Sequence, residues 1–422
     1  MKYNSTHNHL DSAKALDEED KLKSFRSRFH FPKTPNGAGL YFCGHSLGLM
    51  PKDVKKAIDT ELDSWATYGV EGHFEGPYPW LPYHENITKS FAKIAGAKES
   101  EVVAMNTLTV NLHLMMVSFY RPTKTRFKIL IENNTFPSDK YAVDSQARFH
   151  GHDPKNTIVE LKPRPGKKTV DPQDILDQIN ELGESLALVM LGNCNYLSGQ
   201  CFNFKAIAAA AHQNGALCGF NLAHGAGNLL LNLHDDNVDF AVWCSYKYLN
   251  SGPGGLAGAF VHEKHHGQKD IQRFEGWWGH DKTSRFKMGP TFEPIPTVEA
   301  WQLSNPPIFQ LASLRASMNI FDEAGMPALR SKGDRLTAYL EFLLKENCEG
   351  RLEIITPSDP TQRGSMLSIQ MKKDPKPLVK IFGEKGVILD FREPDILRVC
   401  PAPLYNSFED CFKLVQIMKD SL

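Results

Sequence analysis

The sequence of 422 residues predicts an α/β protein: a large unit on a mostly parallel sheet, then a smaller α+β unit. Two observations carry this. In the middle of the chain, short and continuously apolar runs alternate with helical patterns, as expected of strands covered on both faces by crossover helices. After about residue 310 the pattern changes to two long helical segments, several short strands and a closing helix.

FKILIE (127–132) and LALVMLG (186–192) have the length and apolar character of buried strands. FKAIAAAAHQNG (204–215) reads as a helix stopped by Gly215. ALCGFNL (216–222), VDFAVWCSY (238–246) and GLAGAFVHE (255–263) follow as strands. In the later unit, helices around SLRASMNIFDEAG and ALRSKGDRLTAYLEFLLKEN precede strands in LEIITP, SMLSIQM, VILDF and ILRVC. Ser407 is placed to N-cap the last helix. The expected division is a segment 1–45 packing with the small domain, a large domain over 46–310 and a small C-terminal domain over 311–422.

Charge is balanced, 48 Lys+Arg against 49 Asp+Glu, so no clustered positive field advertises nucleic acid or a membrane surface. No apolar run approaches the roughly 18 residues of a membrane span. The N-terminal stretch MKYNSTHNHLDSAKALDEEDK has no apolar core of the kind a secretory signal needs. Eight cysteines show no C-x-x-C spacing, and Cys218 and Cys244 sit in apolar runs as buried thiols. A reducing cytoplasm is the expected compartment. His7-Asn8-His9 is expected to lie in a disordered tail.

The densest chemistry lies in GFNLAHGAGNLLLNLHDDNVDFAVWCSYKYLNSGPGGLAG (219–258). Lys247 follows an apolar strand and precedes a glycine-rich turn. At a buried sheet rim an amine is partly desolvated, which lowers its pKa and frees it to attack a carbonyl. Position alone favours the blander reading of a lysine snorkelling to water. Its surroundings shift the balance. Asn221 and His224 end a neighbouring strand, and Phe136, Ser138 and Asp139 follow strand 127–132. Leu108 and Thr109 stand where a helix opens, which suits a phosphate. An aromatic to stack, hydroxyls for phosphate, a polar group for a ring nitrogen and a lysine for an aldehyde together describe a pyridoxal 5'-phosphate (PLP) pocket.

Longer motifs support this. YFCGHSLGL (41–49), GVEGHFEGPYPWLPYHE (69–85), MNTLTVNLHL (105–114), FPSDKYA (136–142), LAHGAGN (222–228), WCSYKYLNSGPGG (243–255), GWWGH (276–280), LSNPP (303–307) and RVCPAPLYNSF (398–408) occur in order. In these the chain resembles kynureninases, PLP enzymes of fold type I, over nearly its whole length. The resemblance implies hydrolysis of L-kynurenine or 3-hydroxykynurenine to anthranilate or 3-hydroxyanthranilate and L-alanine, in tryptophan catabolism and NAD biosynthesis, by a homodimer. It implies that Lys247 carries the cofactor and moves protons, with Tyr246 a phosphate contact and late proton donor. Leu108, Thr109 and Ser138 would hold phosphate, Phe136 would stack on the ring, and Asp139 and His224 would lie close by. Trp277 and Asn305 would complete the pocket across the dimer interface. Arg398 would grip the substrate carboxylate, and His73 and Asn305 would face its aromatic end. Packing roles are the bland alternative for His73 and Trp277.

Asn221 departs from the family pattern, which has Asp there. A carboxylate keeps the ring nitrogen protonated and makes the better electron sink; a carboxamide carries no charge. Either Asp139 compensates, or the chain is a homologue with impaired or altered activity. Leu197 and Asp236 also stand where the family usually has aromatic residues. Among other reactions on this fold, a desulfurase is disfavoured because no cysteine lies in an evident mobile catalytic loop. His262-Glu263-Lys264-His265-His266 matches the zinc motif H-E-x-x-H, but it follows a strand, lacks an obvious third ligand, and reads as a solvated loop.

Overall fold

The computed structural model describes residues 3–268 and 270–422. Its main sheet has seven strands: β1 (Val102–Ala104), β2 (Lys128–Glu132), β3 (Ile158–Leu161), β4 (Leu186–Gly192), β5 (Leu217–Asn221), β6 (Phe240–Trp243) and β7 (Gly258–Val261). Their order is β1-β7-β6-β5-β4-β2-β3. β7 runs antiparallel to both neighbours, and the other pairs are parallel. Side-chain alternation explains why the central strands are apolar throughout. Leu188, Met190, Phe240, Val242, Ala259 and Val261 pack on one face. Val189, Leu191, Phe220, Ala241, Trp243 and Phe260 pack on the other.

The expected strands all appear, 186–192 over its full run and the others with trimmed ends. β1 and β3 carry little sequence signal: one has three residues, and the other sits at an edge with mixed burial. The helix Phe204–Gln213 begins on an Asn203 side-chain cap.

Beyond the helices Ile308–Ala324 and Met326–Cys348 lies a four-stranded antiparallel sheet. Its strands are β8 (Leu352–Ile354), β9 (Leu367–Met371), β10 (Asp390–Arg392) and β11 (Ile396–Val399), in the order β8-β9-β11-β10. The VILDF run is divided between Val387–Ile388, which pairs with Leu40–Tyr41, and β10. A helix over Lys376–Glu384 separates β9 from this run and has no counterpart in the sequence reading. The last helix, Phe408–Ser421, starts at a Ser407–Asp410 capping box. The Asp17 carboxylate of helix Leu10–Glu18 adds a second cap, accepting the Phe408 and Glu409 amides at 2.7 and 3.0 Å. Ala13 and Leu16 join the core under this sheet, whereas Leu22, Phe25 and Phe29 join the larger core.

The segment 4–8 is tied to the rest of the chain, contrary to the disorder expected around His7-Asn8-His9. Asn4 caps a short turn, the Tyr339 hydroxyl donates to the His7 carbonyl, and Asn8 pairs with Asn347. Among the described residues no helix is long and apolar enough to cross a membrane.

Candidate active site

The carboxyl ends of adjacent parallel strands build the site, where open α/β sheets gather ligands. Glu132 ends β2, Gly192 ends β4 and Asn221 ends β5; the turn after β6 carries Tyr246 and Lys247. All five line one cavity, together with Leu108, Phe136, Asp139, Cys194, Tyr196, Ala223 and His224. Lys247 Nζ lies 3.2 Å from His224 Nε2 and 5.8 Å from the centre of the Phe136 ring. Burial lowers the lysine pKa, with Arg398 and Arg392 adding to it, and His224 is held neutral by burial and by Lys247.

Across from it, Asn221 is bonded through both its nitrogen and its oxygen. Its Nδ2 donates to Asp139 Oδ2 at 2.6 Å, and its Oδ1 accepts the Ala223 amide at 2.8 Å. The other oxygen, Asp139 Oδ1, is buried without a partner. Burial pushes the Asp139 carboxyl up to about 6, against the pull of the Asn221 amide and Lys247. Glu132, absent from the sequence-based set, is pushed up to about 8, chiefly by burial, although the Gly192 amide and Asn195 contact it. Its position as the last residue of a predicted strand was the available signal.

Two helices, Leu108–Phe119 and Pro137–Phe149, point their N-termini at the same place, and neither first turn is closed by a side-chain cap. The Thr109 and Ser138 hydroxyls meet there at 2.8 Å. Two positive helix ends with adjoining hydroxyls suit a phosphate. A nucleophilic amine, an unpartnered buried carboxylate oxygen and an aromatic face beside them suit an aldehyde-bearing pyridine ring. The donor set thus fits PLP.

Arg398, on β11, sits at the edge of this cavity: its Nη1 donates to the carbonyl of Tyr196, a lining residue, at 2.7 Å. His73, Trp277 and Asn305 stand apart from these lining residues. His73 contacts the Val70 carbonyl and the Trp80 ring, Trp277 is 40% exposed beside Phe286, and Asn305 is exposed. Leu197 donates its amide to Asn195, and Asp236 lies in a turn away from the cavity.

The H-E-x-x-H segment is not a solvated loop. Glu263–His265 forms a single 3-10 turn and His262 is buried. His266 contacts the Val261 carbonyl, and His265 contacts the buried Asp239. His262 instead approaches His234 and Glu101. Those groups are already engaged: Glu101 Oε1 accepts the Glu263 amide and faces His234, and His262 Nδ1 accepts the Lys264 amide.

Fold and site define the class: a PLP-dependent enzyme of fold type I. Solved structures with this fold include a cysteine desulfurase from Escherichia coli, with TM-score 0.77, 17% identity and coverage of 95% of this chain and 98% of that one. Among curated relatives, a kynureninase from Myxococcus xanthus is 59% identical over 408 residues, 96% of each chain. One from Koribacter versatilis is 53% identical, covering 95% of each, and the kynureninase C-terminal domain model matches residues 329–418. The chain belongs to the kynureninase family.

Proposed function

We propose that this cavity hydrolyses L-kynurenine, or its 3-hydroxy derivative, to anthranilate or 3-hydroxyanthranilate and L-alanine. The observation that carries the reading is a desolvated Lys247 amine lining the cavity and a buried Arg398 guanidinium bonded to the carbonyl of the lining residue Tyr196. PLP, when bound, supplies an aldehyde for the substrate amine and an electron sink for the bonds at its α-carbon. The helix starts, Thr109 and Ser138 would hold its phosphate, with Tyr246 as a further contact, and Phe136 would stack on its ring. Arg398 grips the α-carboxylate, as a guanidinium fork suits a carboxylate. Lys247, its pKa lowered chiefly by burial, takes and returns the α-proton. Burial raises the Tyr246 pKa, so its phenol stays protonated and can donate late in turnover. Purified protein with added PLP is expected to release anthranilate and alanine from kynurenine; the reading fails if neither forms.

One observation favours a particular account of Asn221. Asp139 Oδ1, buried and unpartnered beside Asn221, takes over the charge that the family places at 221. The enzyme then retains its activity despite the carboxamide.

The functional unit is a homodimer in which His73, Trp277 and Asn305 serve the cavity of the other copy. Exposed aromatic contacts between Phe74 and Phe286, and between Trp65 and Phe309, support this, because so much clustered apolar surface calls for a cover. A cytoplasmic location accords with eight free cysteines.

A further inference from the structure

Asp390 and Arg398 are register partners across β10 and β11. Arg398 Nη2 pairs with Asp390 Oδ2, and the two side chains are only 2% and 10% exposed. Nη1, at the other end of the fork, is taken by the Tyr196 carbonyl. Two acceptors therefore fix the plane of the guanidinium. Arg398 Nε, by contrast, is buried and has no partner. Leaving such a donor unpaired is costly, so this edge is held for an acceptor.

We propose that Asp390 is a positioning residue for substrate recognition: with the Tyr196 carbonyl it takes one N–H from each Nη and turns the Nε edge of Arg398, with its remaining N–H groups, toward the substrate carboxylate. This rests on the reading of Arg398 as the carboxylate grip. Asp390 is itself held in place. Arg392 Nη2 lies 3.1 Å and His45 Nε2 lies 3.6 Å from its Oδ2. His45 is completely buried, and neither of its ring nitrogens makes a hydrogen bond. Its loop is fastened to the lysine turn, where the Gly48 amide donates to the Tyr246 carbonyl at 2.8 Å. Because two guanidinium groups face one carboxylate, the cluster stays net positive and still attracts a second anion. The sequence showed none of this: Asp390 is an acidic residue in a short strand, and only strand pairing sets it opposite Arg398.

The test uses the PLP-loaded enzyme and two unreactive probes. One is the desamino analogue of kynurenine, which keeps the carboxylate but has no amine; the other is its primary amide. In Asp390→Ala the acid is expected to bind about tenfold more weakly, while the amide changes by less than about twofold. KM for kynurenine should rise with little change in kcat. Asp390→Asn, whose amide oxygen can still accept from Nη2, should fall in between. In an Arg398→Ala background, Asp390→Ala should cost nothing more, since it acts through Arg398. The proposal is overturned if Asp390→Ala binds the acid like the parent, or if the two losses add. Should the alanine variant not fold, Asp390→Asn decides alone: weakened acid with unchanged amide supports the proposal, and unchanged acid overturns it. If Arg398→Ala binds acid and amide like the parent, the carboxylate-grip reading itself fails, an outcome distinct from failure of Asp390 alone.

Discussion

At the foot of the cavity a carboxamide stands beside a carboxylate, and the two share a hydrogen bond. Asn221 donates to Asp139 and accepts from Ala223, and Asp139 Oδ1 is left buried without a partner; in the proposed account this carboxylate supplies the charge at that end. Asp139→Asn is therefore expected to lower kynurenine turnover by about a hundredfold or more, and Asn221→Asp to raise it by less than about tenfold. Steady-state rates check both; a large gain in Asn221→Asp would mean that the chain is impaired. A pH effect follows in the cofactor-free protein. Burial raises the folded Asp139 pKa from 3.8 to about 6. Between those values the folded chain binds more protons than the unfolded one, so stability falls as pH rises through the window. Above about pH 6 the full cost, up to about 3 kcal/mol, is present; near pH 4 it is gone. Cofactor-free Asp139→Asn should thus be more stable than the parent at neutral pH, with the gain shrinking toward pH 4. Urea midpoints at the two pH values read this directly. Asn221 itself was legible in the sequence as a departure; its commitment to Asp139, 82 positions away, was not.

At the scale of elements, the central strands were legible because burial on both faces leaves an unbroken apolar run. The same rule misses β3, where the edge position relaxes burial, and the loop 43–48, whose role is contact rather than regular structure. Gly48 shows that role. A Cβ there would lie 2.4 Å from the Lys247 carbonyl oxygen and 2.8 Å from the Asn250 Cα, and backbone cannot yield as a flexible side chain can. Gly48→Ala should push the lysine turn away from this loop, costing about 1–3 kcal/mol of stability. Thermal unfolding should show the loss, together with weaker PLP retention in dialysis. Unchanged melting and retention would mean that the loop moves freely.

For the whole molecule, one chain brings together Lys247, the two uncapped helix starts and Arg398, yet leaves His73, Trp277 and Asn305 on another surface. A dimer resolves this if the exposed aromatic face meets its own copy. Sedimentation is expected to show a dimer. Phe286→Glu, on that face at 51% exposure, should shift it toward monomer and reduce activity together with the association. Activity that persists in a monomer would locate those three residues outside the reaction.

By itself the sequence determined the α/β class, the lysine at a strand end and the order of motifs that mark the family, because hydrophobic period, turn residues and local motifs are written along the chain. Only the tertiary structure decided which polar groups meet. Glu132 joins the cavity because β2 lies beside β4. Asp390 meets Arg398 because two short strands pair in register. His262 turns to Glu101 rather than to His266 because the segment after β7 makes one 3-10 turn instead of an α-helix. Hydrogen bonds and ion pairs act over a few ångströms, and that proximity is set by long-range packing, which no local pattern records.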